Sequence, residues 1–243
     1  MRAVAVIPAR WASTRFPGKP LALLRGRPMV AHVWERVSRV RGLSAVLVAT
    51  DDERIAQAVR AFGGEVALTG ECRTGTDRVR EALRGREAEV ALNVQGDEPL
   101  IEPACLESLL GVFADPKVRM ATLMRPLSPG EAENPNVVKV VAALNGDALY
   151  FSRAPIPFVR SAPAQAFAHV GVYAYRRDLL EALADLPTTP LEKAEGLEQL
   201  RVLEHGIPIR VVPTSYRSLG VDVPEDLAKA EAALAALAAG SEI

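Results

Sequence analysis

A chain of 243 residues, 49 % hydrophobic and 24 % charged, has the length and composition of a soluble globular enzyme with a substantial core. Its formal net charge of -1 excludes a global basic field that would recruit nucleic acid or an anionic membrane, so any anion must be held by local clusters. No stretch reaches the roughly 18 consecutive apolar residues of a bilayer span, and the strand-like start lacks the layout of a signal peptide. Cys72 and Cys105 match no metal-ligand spacing and read as buried free thiols of a reducing compartment. The expectation is a cytoplasmic protein with no nucleic-acid partner and no membrane insertion.

The first predicted strand is the apolar run 3–7. It leads into the loop PARWASTRFPGKPL, residues 8–21, which carries Arg10, Ser13, Thr14, Arg15, Gly18 and Lys19. Ligands of open α/β sheets bind beyond the carboxyl ends of the strands. Three cations placed there point to a polyanion such as a nucleoside triphosphate, against the alternative of a solvated basic loop. Gly18 permits close backbone approach, and Pro17 and Pro20 stiffen the loop. The G-x-x-x-x-G-K-[ST] spacing of a Walker loop is absent.

A helix follows Pro28, with Met29, Val30, Val33, Trp34, Val37 and Val40 at helical spacing. The run 45–50 is the next strand. Ile55, Val59 and Phe62 mark a helix closed by Gly63 and Gly64, and 65–68 is a third strand. In TGTDRVREAL, residues 74–83, Val79 and Leu83 mark another helix, ended by Gly85. Arg78 near its start opposes the macrodipole, which hints at a bound anion or base. The fourth strand, 90–94, runs into NVQGDEPLI, residues 93–101. Asp97 stands there beside Gly96, either as a turn residue or as a hard oxygen ligand for Mg2+, which takes one or two carboxylates plus substrate phosphates. Pro103 opens a helix with Leu106, Leu109, Leu110 and Phe113. Alternation of this kind predicts right-handed crossovers and a doubly wound, mostly parallel α/β sheet.

The second half reads as a β-rich insertion. Residues 137–144 and 148–151 form a hairpin through Asn145-Gly146. A proline-rich stretch, 154–163, precedes strands at 167–175 and 209–213. His169 lies within the first of these and has no carboxylate neighbour in sequence to support a general-base role, so a structural place is the plainer reading. Residues 191–205 read as one helix with Leu197, Leu200 and Leu203 on an apolar side. Glu195 and Gln199 then share a face, which a solvated surface would also explain. The last helix spans 224–239. Glu225 and Asp226 in its first turn are capping and dipole groups, whereas Asp222, before the helix, is a second candidate metal ligand.

PARWASTRFPGKPL, ATDDERI, TGTDR, NVQGDEPLI, NPNVVKVV, ALYFSRAPIP, HVGVYAYR, LEKAEGLEQLR and GVDVPEDL together closely resemble the 3-deoxy-manno-octulosonate (Kdo) cytidylyltransferase family across nearly the whole chain. PAR…STR-x-PGKPL and Q-G-D-E-P are shared more loosely with related sugar cytidylyltransferases. YFSRAPIP, HVGVYAYR and LEQLR are specific to the Kdo branch. Phe16, where leucine is expected, and Gly196, mildly unfavourable inside a helix, are minor departures.

The resemblance implies a Rossmann-like nucleotidyltransferase fold. It implies transfer of CMP from CTP to Kdo with Mg2+, giving CMP-Kdo and pyrophosphate for lipopolysaccharide biosynthesis. It further implies one α/β domain over 1–243, with 1–124 mainly binding CTP and 125–243 mainly binding the sugar acid and forming a homodimer. Arg10 and Lys19 match triphosphate-binding cations of the family, with Ser13 and Arg15 on the same loop. Arg78 and Gln95 match positions near the nucleotide, and Asp97 and Asp222 match the metal carboxylates. With Arg10 and Lys19, those carboxylates form the implied catalytic set. Arg153, His169, Glu198 and Gln199 match the sugar-acid pocket. A cytidylyltransferase for another sugar acid or a sugar phosphate, and a non-catalytic nucleotide-binding module, are the rival readings.

Overall fold

The computed structural model describes residues 1–12, 15–161, 164–238 and 240. The chain forms two compact units, Met1–Glu107 with Ser218–Ile243, and Ser108–Arg217.

In the first unit, β1 (Ala3–Pro8) pairs in parallel with β4 (Leu43–Thr50) on one side and β6 (Val90–Asn93) on the other, and β5 (Glu65–Leu68) extends the sheet beyond β4. The hairpin β2 (Leu23–Leu24) and β3 (Arg27–Pro28) lies between β1 and β4 in the chain. Val6, Ile7, Leu47, Val48 and Leu92 have no exposed surface, as valine- and leucine-rich strands covered on both faces should. Helices α1 (Met29–Val37), α2 (Glu53–Ala61) and α3 (Gly75–Ala82) form the crossovers, and α4 (Pro103–Gly111) follows β6. The Asp52 side chain caps α2 by accepting from the Arg54 N–H, and Thr74 caps α3 by accepting from the Asp77 N–H.

The β2–β3 hairpin escapes the sequence reading. Its turn places Arg25 at φ 49° and Gly26 at φ 75°, the two positive values a two-residue hairpin turn needs, but Arg-Gly is a less familiar signal than Asn-Gly.

The second unit is a mixed sheet. β7 (Met120–Pro126) pairs antiparallel with β10 (Phe167–Arg176) and parallel with β11 (Arg210–Pro213). β8 (Lys139–Ala142) pairs antiparallel with the start of β10 and with β9 (Ala148–Ser152), forming the Asn145-Gly146 hairpin. β7 was not foreseen, because six of its seven residues are buried and no polar alternation marks it. The short α5 (Arg177–Ala182) was also missed.

The expected single helix over 191–205 is two helices, α6 (Pro190–Glu195) and α7 (Gln199–Glu204). Gly196 ends α6 in the left-handed region, φ 63° and ψ 41°, and its N–H returns to the Glu192 carbonyl. The glycine is therefore the stop signal of α6 rather than a blemish inside a longer helix, and Glu195 and Gln199 do not share a helical face.

The last helix, α8 (Asp226–Ala238), belongs to the first unit. Its buried Ala230 and Leu234 pack on Leu24, Met29, Leu100 and Val221. It begins at Asp226, so Glu225 lies in the preceding turn. The Asp226 carboxylate accepts from the N–H groups of Asp222 and Val223.

Candidate active site

Beyond the carboxyl ends of β1 and β6, the first unit holds a cavity of about 310 Å³ lined by Arg10, Arg15, Lys19, Arg78, Gln95, Asp97 and Asp222. Two glycines shape it. A side chain at Gly96 would place its Cβ 2.9 Å from the Pro8 carbonyl oxygen, so only glycine lets the end of β6 approach the end of β1 this closely. Gly18 stands at φ 71°, and a Cβ there would lie 2.9 Å from the Trp11 ring. Its N–H donates to the Trp11 carbonyl, and the Arg54 guanidinium lies 3.4 Å from the Trp11 ring centroid. Trp11 is thus held between Gly18 and Arg54. Ser13, one of its proposed phosphate ligands, lies outside the described residues.

Within the cavity the expected cations and carboxylates meet one another. Lys19 Nζ donates to Asp97 Oδ2 at 2.6 Å and lies 3.5 Å from Asp222 Oδ1. Arg15 Nη2 reaches the same Asp222 oxygen at 3.1 Å. Lys19 is 15 % exposed and Arg15 66 %, so water screens the arginine pair far more. The Asp97 carbonyl accepts from the Val221 N–H, which ties the segment bearing Asp222 to the end of β6. The neighbouring Glu98 accepts from the Ser218 hydroxyl.

Two hard carboxylates sharing one ammonium fit a divalent cation that draws its other ligands from phosphate and water. Among the described residues no group of three or more His, Cys, Asp or Glu could hold a metal alone.

Arg78 is 4 % exposed and donates to Asp51 at 2.7 Å and to the Thr69 hydroxyl at 2.5 Å. Asp51 therefore accounts for a cation near the start of α3 without any ligand, while Arg78 still forms part of the cavity wall. Gln95 donates to Asn93 Oδ1 at 3.2 Å. Arg10 is exposed at the cavity mouth.

Cys72 also lines the cavity and is only partly buried, which corrects the buried-thiol reading for this residue. Burial, with a hydrogen bond to Glu81, pushes its thiol up to about 11, and burial pushes Cys105 up to about 12.

The remaining expected site residues stand in the second unit. His169 Nε2 lies 2.9 Å from the Thr122 hydroxyl, and its ring meets Phe151 edge-on at 5.1 Å and Tyr173 at 5.4 Å. Burial pushes its pKa down to about 3, so the imidazole is neutral near pH 7. The Tyr173 hydroxyl is pushed well above 10 by burial and by the charges of Tyr175 and Glu198. Glu198 is half-buried just before α7, and Gln199, the first residue of α7, is 5 % exposed.

Glu195 is the residue sequence reasoning under-read. It accepts from the Ser152 hydroxyl at 2.6 Å and from the Arg153 N–H at 2.8 Å. Gly196, directly after Glu195, was the signal that α6 stops there.

A family model described as Cytidylyltransferase matches residues 4–210. The chain is 56 % identical over 239 residues to the 3-deoxy-manno-octulosonate cytidylyltransferase of Myxococcus xanthus (strain DK1622), covering 97 % of both chains. It is 57 % identical over 241 residues to that of Anaeromyxobacter dehalogenans (strain 2CP-C), covering 97 % of this chain and 99 % of the relative. A solved structure of CMP:2-keto-3-deoxy-manno-octonic acid synthetase complexed with CTP is similar with a TM-score of 0.94 at 48 % identity, over 97 % of this chain and 99 % of that one. A cytidylyltransferase from Leptospira borgpetersenii, 16 % identical with a TM-score of 0.66, shares the fold. The α/β fold, the cation-lined cavity and these relatives agree, and the chain belongs to the 3-deoxy-manno-octulosonate cytidylyltransferase family of nucleotidyltransferases.

Proposed function

We propose that this protein transfers CMP from CTP to the anomeric hydroxyl of Kdo, releasing pyrophosphate, with Mg2+ as cofactor. The observation that carries this reading is Lys19 held between Asp97 and Asp222 in a cavity walled by Arg10, Arg15 and Arg78. In that arrangement Lys19, Arg10 and Arg15 neutralise the triphosphate, and Lys19 supports the charge that builds on departing pyrophosphate. Gln95 and Arg78 flank the nucleotide, and Ser13 joins the phosphate contacts. Asp97 and Asp222 hold Mg2+. When bound, that ion supplies charge for the phosphate oxygens and lowers the pKa of a coordinated hydroxyl.

The reaction needs an in-line approach of the sugar hydroxyl to the α-phosphate, so positioning and charge neutralisation carry it and no protein nucleophile is required. His169 with its low pKa is unsuited to proton abstraction and instead offers the acceptor a fixed hydrogen-bonding edge. Arg153 pairs with the carboxylate of the sugar acid, and Glu198 and Gln199 address its hydroxyls. CTP binding thus rests mainly on residues 1–124 with Asp222, and acceptor binding on 125–243. The exposed Leu144, Leu149, Phe158 and Val159 support a homodimer formed through the β-rich middle of the chain. The setting is a cytoplasmic step in lipopolysaccharide precursor supply.

Pyrophosphate release with CTP and Mg2+, compared across Kdo, sialic acid and no acceptor, tests the proposal. Release with Kdo alone, abolished by EDTA, is expected. Release with sialic acid alone would overturn the acceptor assignment, and no release with any acceptor would overturn the activity.

A further inference from the structure

Lys139, the first residue of β8, has no exposed surface at all. A buried ammonium is costly unless every proton is taken up. Here Nζ donates to the carbonyls of Asn134 at 3.0 Å, Val137 at 2.7 Å and Arg153 at 2.5 Å, which uses all three. Burial holds its pKa below the ordinary lysine value, the charges of Glu133 and Glu195 offset only part of that, and the Arg153 charge lowers it further.

Glu195 grips the same arginine. Its carboxylate takes the Arg153 N–H at 2.8 Å, and its carbonyl takes Arg153 Nε at 2.7 Å. The Pro135 carbonyl takes Nη1 at 2.9 Å. The amide, the carbonyl, Nε and Nη1 of Arg153 are therefore all engaged. The Nη2 end of a half-buried guanidinium is the part those bonds leave to meet a ligand.

The β8–β9 ladder does not account for this investment. Its register pairs Lys139 with Ser152, and β9 ends there. Arg153 is the first residue past the ladder, where its backbone groups lose their strand partners, and Lys139 and Glu195 supply replacements at that one position.

We propose that Lys139 and Glu195 are positioning residues that fix Arg153 for the carboxylate of the acceptor. The inference rests on the reading of Arg153 given under Proposed function. A guanidinium fixed beforehand in its binding geometry loses less freedom when it takes a carboxylate. Loosening it weakens acceptor binding and leaves the nucleotide site untouched.

The test is steady-state kinetics on Lys139→Met and Glu195→Gln, with Kdo varied at saturating CTP and Mg2+, alongside CTP affinity by calorimetry. The KM for Kdo should rise about 10-fold, with kcat within about threefold and the CTP Kd within about twofold. Arg153→Ala separates the two readings. It should itself raise the KM for Kdo, and combining it with either substitution should add nothing further. An Arg153→Ala enzyme with unchanged KM refutes the acceptor role of Arg153, and the positioning proposal with it. A raised KM in Arg153→Ala, with normal KM in Lys139→Met and Glu195→Gln or with additive doubles, overturns the positioning proposal alone. If Lys139→Met does not fold, Glu195→Gln decides, because it keeps the side-chain shape while removing the charge and one of the two acceptor oxygens that serve Ser152 and Arg153.

Discussion

In the unit formed by Met1–Glu107 and Ser218–Ile243, Lys19, Arg15, Asp97 and Asp222 satisfy one another across an open cavity, whereas in the Ser108–Arg217 unit Lys139, Arg153 and Glu195 spend most of their bonds on backbone groups. The difference lies in what each arrangement lets go. Ion pairs between partly exposed side chains exchange readily for a phosphate and a metal ion, because each partner swaps one charged contact for another. A buried ammonium on three carbonyls has no such exchange open to it, since leaving would strand three acceptors. The first arrangement suits groups that change partners in the reaction, and the second suits groups that hold still.

The largest expected effect is on the exchanging side. Asp97→Asn keeps the shape and removes the charge, so turnover should fall by about 10³-fold while the CTP Kd moves by less than about fivefold. Pyrophosphate release and calorimetry on the same preparation check this, and near-normal turnover would refute a metal role for Asp97.

The holding side responds through stability. Gly196→Val forces a β-branched residue to φ 63° at the end of α6 and should destabilise the protein by at least about 1–2 kcal/mol, read as a lower urea midpoint. An unchanged midpoint would mean that the α6–α7 break tolerates any residue.

A pH effect of similar size per pH unit comes from His169. Its folded pKa of about 3 lies below the ordinary 6.5, so the unfolded chain binds a proton between these values that the folded chain does not. The contribution of His169 to stability is therefore complete above pH 6.5 and is lost as pH falls toward 3, with a slope of up to about 1.4 kcal/mol per pH unit. His169→Asn should flatten that slope in pH-resolved unfolding, and activity should show no inflection near pH 6.5 that vanishes in the variant.

The smallest effect is on Cys72, whose thiol at about 11 should alkylate at pH 8 about 100-fold more slowly than an ordinary cysteine. Labelling at the ordinary rate would show that the thiol is neither buried nor bonded to Glu81 in solution as described.

Much of the first unit was legible in the sequence because its signals are local. Short apolar strands, and Gly63 and Gly85 as stops, fell where the pattern placed them, whereas the caps Asp52 and Thr74 emerge only from the structure. The cations and carboxylates of the cavity were legible as motifs at strand ends. Their mutual pairing was not, since Lys19 and Asp222 are brought together only by the fold. The second unit hid more. β7 carries no alternation, Lys139 looks like any strand lysine, and the role of Glu195 depends on a helix ending one residue later. Arg78 shows the converse, since an apparent clash with the helix dipole dissolves once Asp51 is seen beside it.

The most direct test of the account is CTP binding by calorimetry to Lys19→Met beside the native protein, with Mg2+ present. The account predicts a CTP Kd weakened at least about 10-fold, because the cation that leaves Asp97 and Asp222 is the one that meets the triphosphate. Native-like CTP affinity in Lys19→Met would contradict it and would leave the Lys19–Asp97 pair as an ordinary structural ion pair.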